Sequence, residues 1–229
     1  TAWDCFEEQF NSNINRVKAF KAFGEDLPTA HCVGIDARTL FDPADQSKRL
    51  ADDSVSLIIT SPPYAGAQKY IRASSLSLGW LGIAGENSLR PLEKQNIGRE
   101  HLSLDEQNAM PSSGLQVADL FIASIARKNK SRAAILATYL SEMRAALIEM
   151  ARTLKIGGYL VLIIGDNQVC GHTFLSSEYL AAILVELGLT NRLILTDQIM
   201  SRGLTTKRHK TAGVIKSETV LLFEKEKKS

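Results

Sequence analysis

The residues best suited to chemistry stand together at Ser61-Pro62-Pro63-Tyr64. They follow 55–60, an apolar run typical of a buried strand, which two consecutive prolines cannot continue. Because proline lacks an N–H donor and restricts the residue before it, the backbone is held in an extended bend with a carbonyl oxygen pointing outward. That oxygen and the serine hydroxyl can accept hydrogen bonds from an amino group, and Tyr64 offers a flat face to an aromatic ring.

The stretch 53–64 closely resembles the catalytic motif of S-adenosylmethionine-dependent DNA amino-methyltransferases, in which Asp, Asn or Ser precedes Pro-Pro and an aromatic residue. The resemblance implies methyl transfer to the exocyclic amino group of a base flipped out of the DNA duplex. It also implies that Ser61, Pro62, Pro63 and Tyr64 are catalytic. Serine in the first position favours N4 of cytosine over N6 of adenine. Since no cysteine follows a proline, methylation of cytosine C5 is disfavoured.

The same stretch has other interpretations. A strand-ending turn without chemistry is the plainest, because Pro-Pro is common in loops. The same chemistry on RNA is a second alternative. A third is a non-catalytic subunit that holds nucleic acid for an active partner.

Apolar runs that alternate with helical periodicity predict an α/β, doubly wound, Rossmann-like methyltransferase sheet. The predicted strands are 55–60, 159–164, 193–195 and 220–223, the first two buried on both faces. The predicted helices are 3–23, 73–81, 135–154 (capped by Gly157-Gly158) and 177–187. We expect one catalytic domain over 1–229, with an N-terminal helix in 1–29, a lid-like excursion over 84–130 and a basic loop over 201–217.

Polar residues that follow predicted strands mark the expected cofactor site, because ligands of open α/β sheets bind at the carboxyl ends of the strands. Gly165 and Asp166 end one strand, and Asp36 and Ala37 follow the short apolar stretch 31–35. The resemblance implies that S-adenosylmethionine binds at these four residues, with the acidic residue Asp36 near its adenine. The alternative for Asp36 is a turn or helix cap.

Two basic groups are candidates for nucleic-acid contacts. Lys69, Tyr70 and Arg72 follow the motif closely, so that the cations can meet phosphates and the ring can stack on a base. The second group lies between the last two predicted strands and comprises Arg202, Lys207, Arg208 and Lys210. A solvated surface is the alternative interpretation of both groups.

One part of the family pattern is missing. The family carries a glycine-rich turn of the Gly-x-Gly kind for the cofactor, and this sequence has no Gly-x-Gly. The sheet is therefore expected to be incomplete. A split gene whose second chain carries the turn, a fragment of a longer polypeptide and a decayed or regulatory relative all remain open.

Bulk properties agree with a globular protein. The chain has 229 residues, a hydrophobic content of 45% and a formal net charge of +2, which is too small by itself to indicate a polyanion partner. Its three cysteines are widely spaced, which predicts neither a zinc site nor disulfides and fits a reducing cytoplasm. No apolar run is long enough to span a membrane. The resemblance implies a restriction-modification or defence setting.

Overall fold

The computed structural model describes residues 1–22, 29–66, 69–84, 89–199, 215 and 217–227. They belong to two compact units, 1–33 and 34–229. The first unit contains helix α1 (Ala2–Lys21), which begins at Thr1 with a capping box formed with Asp4. This confirms the predicted N-terminal helix. None of its residues is buried, and its apolar stripe, including Trp3 and Phe20, is exposed.

The second unit is built on a four-stranded sheet and a hairpin. Its strands are β1 (Val55–Thr60), β2 (Leu154–Ile164), β3 (Asn167–Val169), β4 (His172–Phe174), β5 (Leu189–Gln198) and β6 (Ser217–Lys225). The sheet has the order β1-β2-β6-β5, and β3 pairs with β4. Strands β1 and β2 are parallel, whereas β6 runs antiparallel to both β2 and β5. The predicted α/β class is confirmed.

The helices of this unit are α2 (Tyr70–Ala73), α3 (Ser75–Trp80), α4 (Arg90–Gln95), α5 (Leu104–Ala109), α6 (Gln116–Ala126), α7 (Lys130–Thr153) and α8 (Ser176–Glu186). The centre of the core is α7, whose buried face includes Leu136, Leu140 and Leu147. Although α6 lies in the predicted excursion, it packs on α7 and buries Ile122 and Ile125. The later part of that excursion is therefore core structure.

The two faces of the sheet differ in burial. Side chains of one face, such as Leu160, Leu162 and Phe223, are fully buried in the core formed with α7 and α8. On the other face, Leu57 is 52% and Ile59 is 65% exposed. On the same face of β2, Tyr159 is 41% exposed, so the prediction that the first two strands are buried on both faces is wrong.

Glycines 157 and 158 do not cap the preceding helix, as the sequence had suggested. Helix α7 ends at Thr153, and both glycines lie within β2. The pairing of β1 with β2 shifts register at this point, and Gly157 has φ +76°. A glycine is favoured there because a side chain would strain this left-handed backbone.

An ion cluster around the buried Glu149 attaches the segment before β1 to α7. Glu149 is 1% exposed and pairs with Arg152 and Arg49. Its Oε1 also accepts a hydrogen bond from the Leu40 backbone N–H at 3.1 Å, and Arg152 donates to the Leu50 carbonyl oxygen at 2.6 Å. The cluster therefore satisfies loop backbone groups that no strand pairing satisfies.

The short apolar stretch before Asp36 does not form a strand. Residues 31–35 have no regular structure, and Ile35 is 99% exposed. Asp36 forms an isolated bridge with Thr39 in a turn. Within the described ranges, no helix has the length and hydropathy of a membrane span.

Candidate active site

The motif loop, residues 61–64, follows the carboxyl end of β1 directly. Ser61 is exposed, and its hydroxyl has no hydrogen-bond partner among the described residues. Pro62 is buried and Pro63 is half-buried, so the prolines anchor the loop while the serine faces outward. The serine hydroxyl and a neighbouring carbonyl oxygen can each accept one hydrogen bond from the same amino group.

Two side chains hold Tyr64 from opposite ends. Its backbone N–H donates a hydrogen bond to the Tyr70 hydroxyl at 3.0 Å. Its own hydroxyl donates to a carboxylate oxygen of Glu218 on β6. Burial, and next the hydrogen bond with Glu218, raises the pKa of Tyr64 well above the usual tyrosine value. The phenol is therefore neutral at physiological pH.

Gly98 packs against the motif loop. The backbones of Gly98 and Tyr64 lie too close together for a larger residue at position 98. A Cβ placed on Gly98 would lie 2.6 Å from the Tyr64 carbonyl oxygen, and its φ is +79°. Its carbonyl oxygen accepts a hydrogen bond from the Gly66 N–H at 3.2 Å. Only glycine fits these conditions without displacing the loop.

The carboxyl end of β2 meets the same loop. A Cβ on Gly165 would lie 3.1 Å from Cε1 of Tyr64 and 2.7 Å from Cγ2 of Ile215. The Asn167 side chain, which is 5% exposed as a residue, donates to the Ala65 carbonyl oxygen at 3.0 Å. The ends of two adjacent strands therefore converge on the motif, as expected for an α/β sheet.

The carboxylate of Asp36, a predicted cofactor residue, accepts hydrogen bonds from a neighbouring arginine. Arg38 donates to its Oδ1 through Nε at 2.9 Å and to its Oδ2 through Nη2 at 2.7 Å. These hydrogen bonds hold the pKa of Asp36 below its usual range. Arg38 also pairs with Glu142 at 3.2 Å, which pairs with Arg99 at 2.6 Å. Asp36 is thus linked through ion pairs to Arg99, which directly follows Gly98 in the sequence.

Asp166, another predicted cofactor residue, also has a structural partner. Its Oδ1 accepts hydrogen bonds from the backbone N–H and the hydroxyl of Ser177, both at 2.9 Å, in the first turn of α8. Gly165 is packed against Tyr64, and Ala37 is exposed. Their place in the cofactor site stays a prediction.

The residues predicted for nucleic-acid contacts after the motif line one pocket of about 420 Å³. Lys69 and Tyr70 are half-buried in it, Arg72 is exposed, and segments 90–96 and 99–106 complete its wall. The second predicted group, Arg202, Lys207, Arg208 and Lys210, lies outside the described residues.

Three supporting residues were not predicted from the sequence. Asn167 directly follows the Gly165-Asp166 pair, so its position after a strand was a usable signal. Glu218 near the start of the last strand and Gly98 in the excursion carried no such signal, because only the folded chain brings them to Tyr64.

No protein-family model matches the sequence, and no curated protein matches it. Among solved structures, the chain is similar to a candidate DNA modification methylase of Thermus thermophilus, as its selenomethionine derivative. The identity is 17%, the match covers 78% of this chain and 49% of the other, and the TM-score is 0.37. For the complex of that methylase with S-adenosyl-L-methionine, the identity is 18% and the TM-score is 0.38. That match covers 78% of this chain and 51% of the other. The chain spans about half the length of that protein.

Proposed function

We propose that this chain forms the catalytic, base-holding part of an S-adenosylmethionine-dependent DNA amino-methyltransferase. The favoured acceptor is N4 of cytosine, with N6 of adenine as the alternative. The observation that carries the proposal is the motif loop itself. It presents the exposed Ser61 hydroxyl, which has no partner among the described residues, at the carboxyl end of a sheet strand, and a buried proline fixes the backbone behind it.

The chemical role of the loop is to activate a poor nucleophile. The lone pair of a base amino group is delocalised into the ring, so the nitrogen must become more tetrahedral before it attacks a methyl group. As the new N–C bond forms, the bond between the methyl group and its donor breaks, and the surplus amino proton leaves to water. Hydrogen bonds from the two amino protons to the Ser61 hydroxyl and the Pro62 carbonyl oxygen favour that geometry. The base reaches them only after it has left the duplex, and the face of Tyr64 then supports its ring.

S-adenosylmethionine, the ligand in one of the similar structures, supplies the methyl group when bound. Asp36, Ala37, Gly165 and Asp166 remain proposed to border its site. We propose that its main binding groups come from a segment that pairs with the free edge of β1, in this polypeptide or in a second chain. The edge position of β1 in the described sheet and the absence of Gly-x-Gly support this proposal, and the exposed apolar face at Leu57 and Ile59 leaves room for the added segment to pack.

DNA is the proposed partner, and no membrane partner is proposed. Lys69, Arg72 and the basic residues of 201–217 are assigned to phosphates. Tyr70 has a dual assignment, since its hydroxyl already holds the loop through the Tyr64 N–H. Its ring is proposed to contact the nucleic acid.

The test is Ser61→Ala, introduced into the native gene. We expect methyl incorporation into DNA in lysates of these cells to fall about 100-fold, the typical effect of losing one hydrogen-bonding group that acts in the transition state. DNA binding by the purified chain is expected to be unchanged, because the small side chain is exposed and makes no hydrogen bond to the described residues.

Ser56→Ala is the matched control, because Ser56 is an exposed serine on the strand that leads into the motif. It is expected to leave both methylation and DNA binding unchanged. Unchanged methylation with Ser61→Ala would reject the catalytic assignment. A parallel loss of methylation and DNA binding would instead indicate a binding role for the loop.

A further inference from the structure

The lining of the pocket beside the motif loop indicates which class of ligand it binds. We infer that it binds one nucleotide of the DNA strand, next to the flipped target base, mainly through its phosphate. This inference rests on the proposed function and adds to it a second nucleotide site. The pocket has a volume of about 420 Å³ and is bounded by α2, α4 and residues 99–106, all of which are described.

The charges of the pocket favour an anion. Its lining contains five cationic side chains (Lys69, Arg72, Arg90, Lys94 and Arg99) and three carboxylates (Glu93, Glu100 and Glu106). Two of the carboxylates are already paired, Glu100 with Lys69 at 3.5 Å and Glu106 with Arg99 at 2.9 Å. Among the described residues, the exposed Arg72 and Lys94 have no ion-pair partner. These two cations can therefore meet a phosphate without breaking an existing pair.

Arg99 lines the pocket and makes that part of its wall rigid. Its side chain is only 9% exposed, and its guanidinium is held by Glu142 at 2.6 Å as well as by Glu106. The wall it forms is consequently preorganised, which reduces the entropy lost when a ligand binds. Its Nε is buried and has no hydrogen-bond partner among the described residues.

Size and position indicate a nucleotide next to the target. The volume lies within the usual range for small-molecule sites and is far too small for a duplex. Tyr70 lines the pocket, and its hydroxyl accepts the hydrogen bond from the Tyr64 N–H. A ligand in the pocket is therefore one side chain away from the motif loop, where the flipped base is proposed to lie.

The methyl donor suits this pocket less well. S-adenosylmethionine carries a sulfonium and an ammonium group against a single carboxylate, so the excess of cations in the lining disfavours it electrostatically. A DNA phosphate has the opposite charge. The pocket is thus assigned to the nucleic acid.

The test compares DNA affinity over a range of salt concentrations for the purified chain and for the double variant Arg72→Ala/Lys94→Ala, with a fluorescent duplex as the probe. Each lost phosphate contact lowers the slope of log affinity against log salt by about 0.9. We expect the slope of the double variant to be smaller by about 2 and its affinity at about 0.1 M salt to be at least about tenfold lower. Arg72→Lys/Lys94→Arg is expected to keep the original slope.

The control is Arg127→Ala/Lys155→Ala, which removes the same charge from two exposed residues outside the pocket. It is expected to change the slope by less than about half a unit, judged against the contribution of one contact. Equal slopes for the pocket variant and the control would overturn the inference and leave the proposed function standing. Weaker binding of S-adenosylmethionine with unchanged DNA binding would also overturn it. Failure of the unmodified chain to bind DNA would reject the pocket and the proposed function together.

Discussion

At the residue scale, Tyr64 is the motif residue that three other residues hold in place. Its backbone is held by Tyr70, its hydroxyl by Glu218 and its ring by close packing against Gly165. The sequence was sufficient to single out the motif, because an apolar strand followed by Pro-Pro and an aromatic residue is a local pattern. It was not sufficient to find Glu218, which lies 154 residues away and reaches Tyr64 only through the pairing of β2 with β6.

Gly165→Ala tests this packing. The added methyl group would lie 2.7 Å from Cγ2 of Ile215 and 3.1 Å from the Tyr64 ring, so these side chains must move. We expect the free energy of unfolding to fall by about 1–3 kcal/mol, as for other overpacked sites, measured by urea denaturation.

Gly79→Ala is the matched control, because nothing lies within 4 Å of a Cβ at that position in α3. Alanine is a better helix former than glycine, so a change between zero and about 1 kcal/mol of added stability is expected. If both variants are equally stable, Tyr64 is not packed against β2 as described.

At the element scale, the strong apolar periodicity of the sequence predicted the four strands of the main sheet and helices α1, α7 and α8. It did not predict the hairpin β3–β4 or helix α6. The short apolar stretch 31–35 forms no strand, Ile35 is exposed, and Asp36 pairs with Arg38. None of the described strands pairs with this stretch to satisfy its backbone groups. The segment that follows is attached to α7 through the ion cluster around Glu149. No local sequence pattern predicts this cluster.

Glu149→Gln tests that attachment. The hydrogen bond from Arg152 is the main cause that lowers the pKa of Glu149. Because its pKa in the folded state lies below the unfolded value, the stabilisation is present above the unfolded pKa and disappears as the pH falls through the folded pKa. We expect the variant to lose about 2 kcal/mol of unfolding free energy at about pH 7. The difference from the unmodified chain should shrink on acidification to about pH 3.

The control for this experiment is Glu186→Gln. Glu186 pairs with Arg144 at 2.9 Å, but its side chain is 48% exposed, so water screens the pair. Its replacement is expected to change stability by less than about 1 kcal/mol at either pH. A loss in Glu149→Gln that does not depend on pH would show that packing, and not its charge, accounts for the effect.

At the scale of the whole molecule, the main feature of the described residues is a sheet with one open apolar face and two edge strands, β1 and β5. The sequence suggested an incomplete sheet, since it lacks Gly-x-Gly, but not which face would be open. That depends on which helices pack on which side, a property of the assembled fold. The exposed Leu57, Ile59 and Leu195 mark the open face in the described residues.

Ile59→Thr/Leu195→Thr tests this arrangement. Both side chains are more than half exposed, so we expect a change in unfolding free energy of less than about 1 kcal/mol. Fluorescence of the dye 8-anilinonaphthalene-1-sulfonate bound to the native chain should fall, because the apolar patch is smaller. Ile58→Thr on the covered face should instead destabilise the chain, since Ile58 packs against the core. Equal destabilisation by both changes would contradict an open face.

The central claim is that the motif loop holds a base amino group for methylation, and nucleoside mass spectrometry tests it most directly. Genomic DNA would be taken from source cells that carry the native gene and from cells with the Ser61→Ala allele at equal protein abundance. We predict N4-methyldeoxycytidine, or N6-methyldeoxyadenosine as the alternative, in the first sample and its loss in the second. Equal amounts of both methylated nucleosides in the two samples would contradict the account.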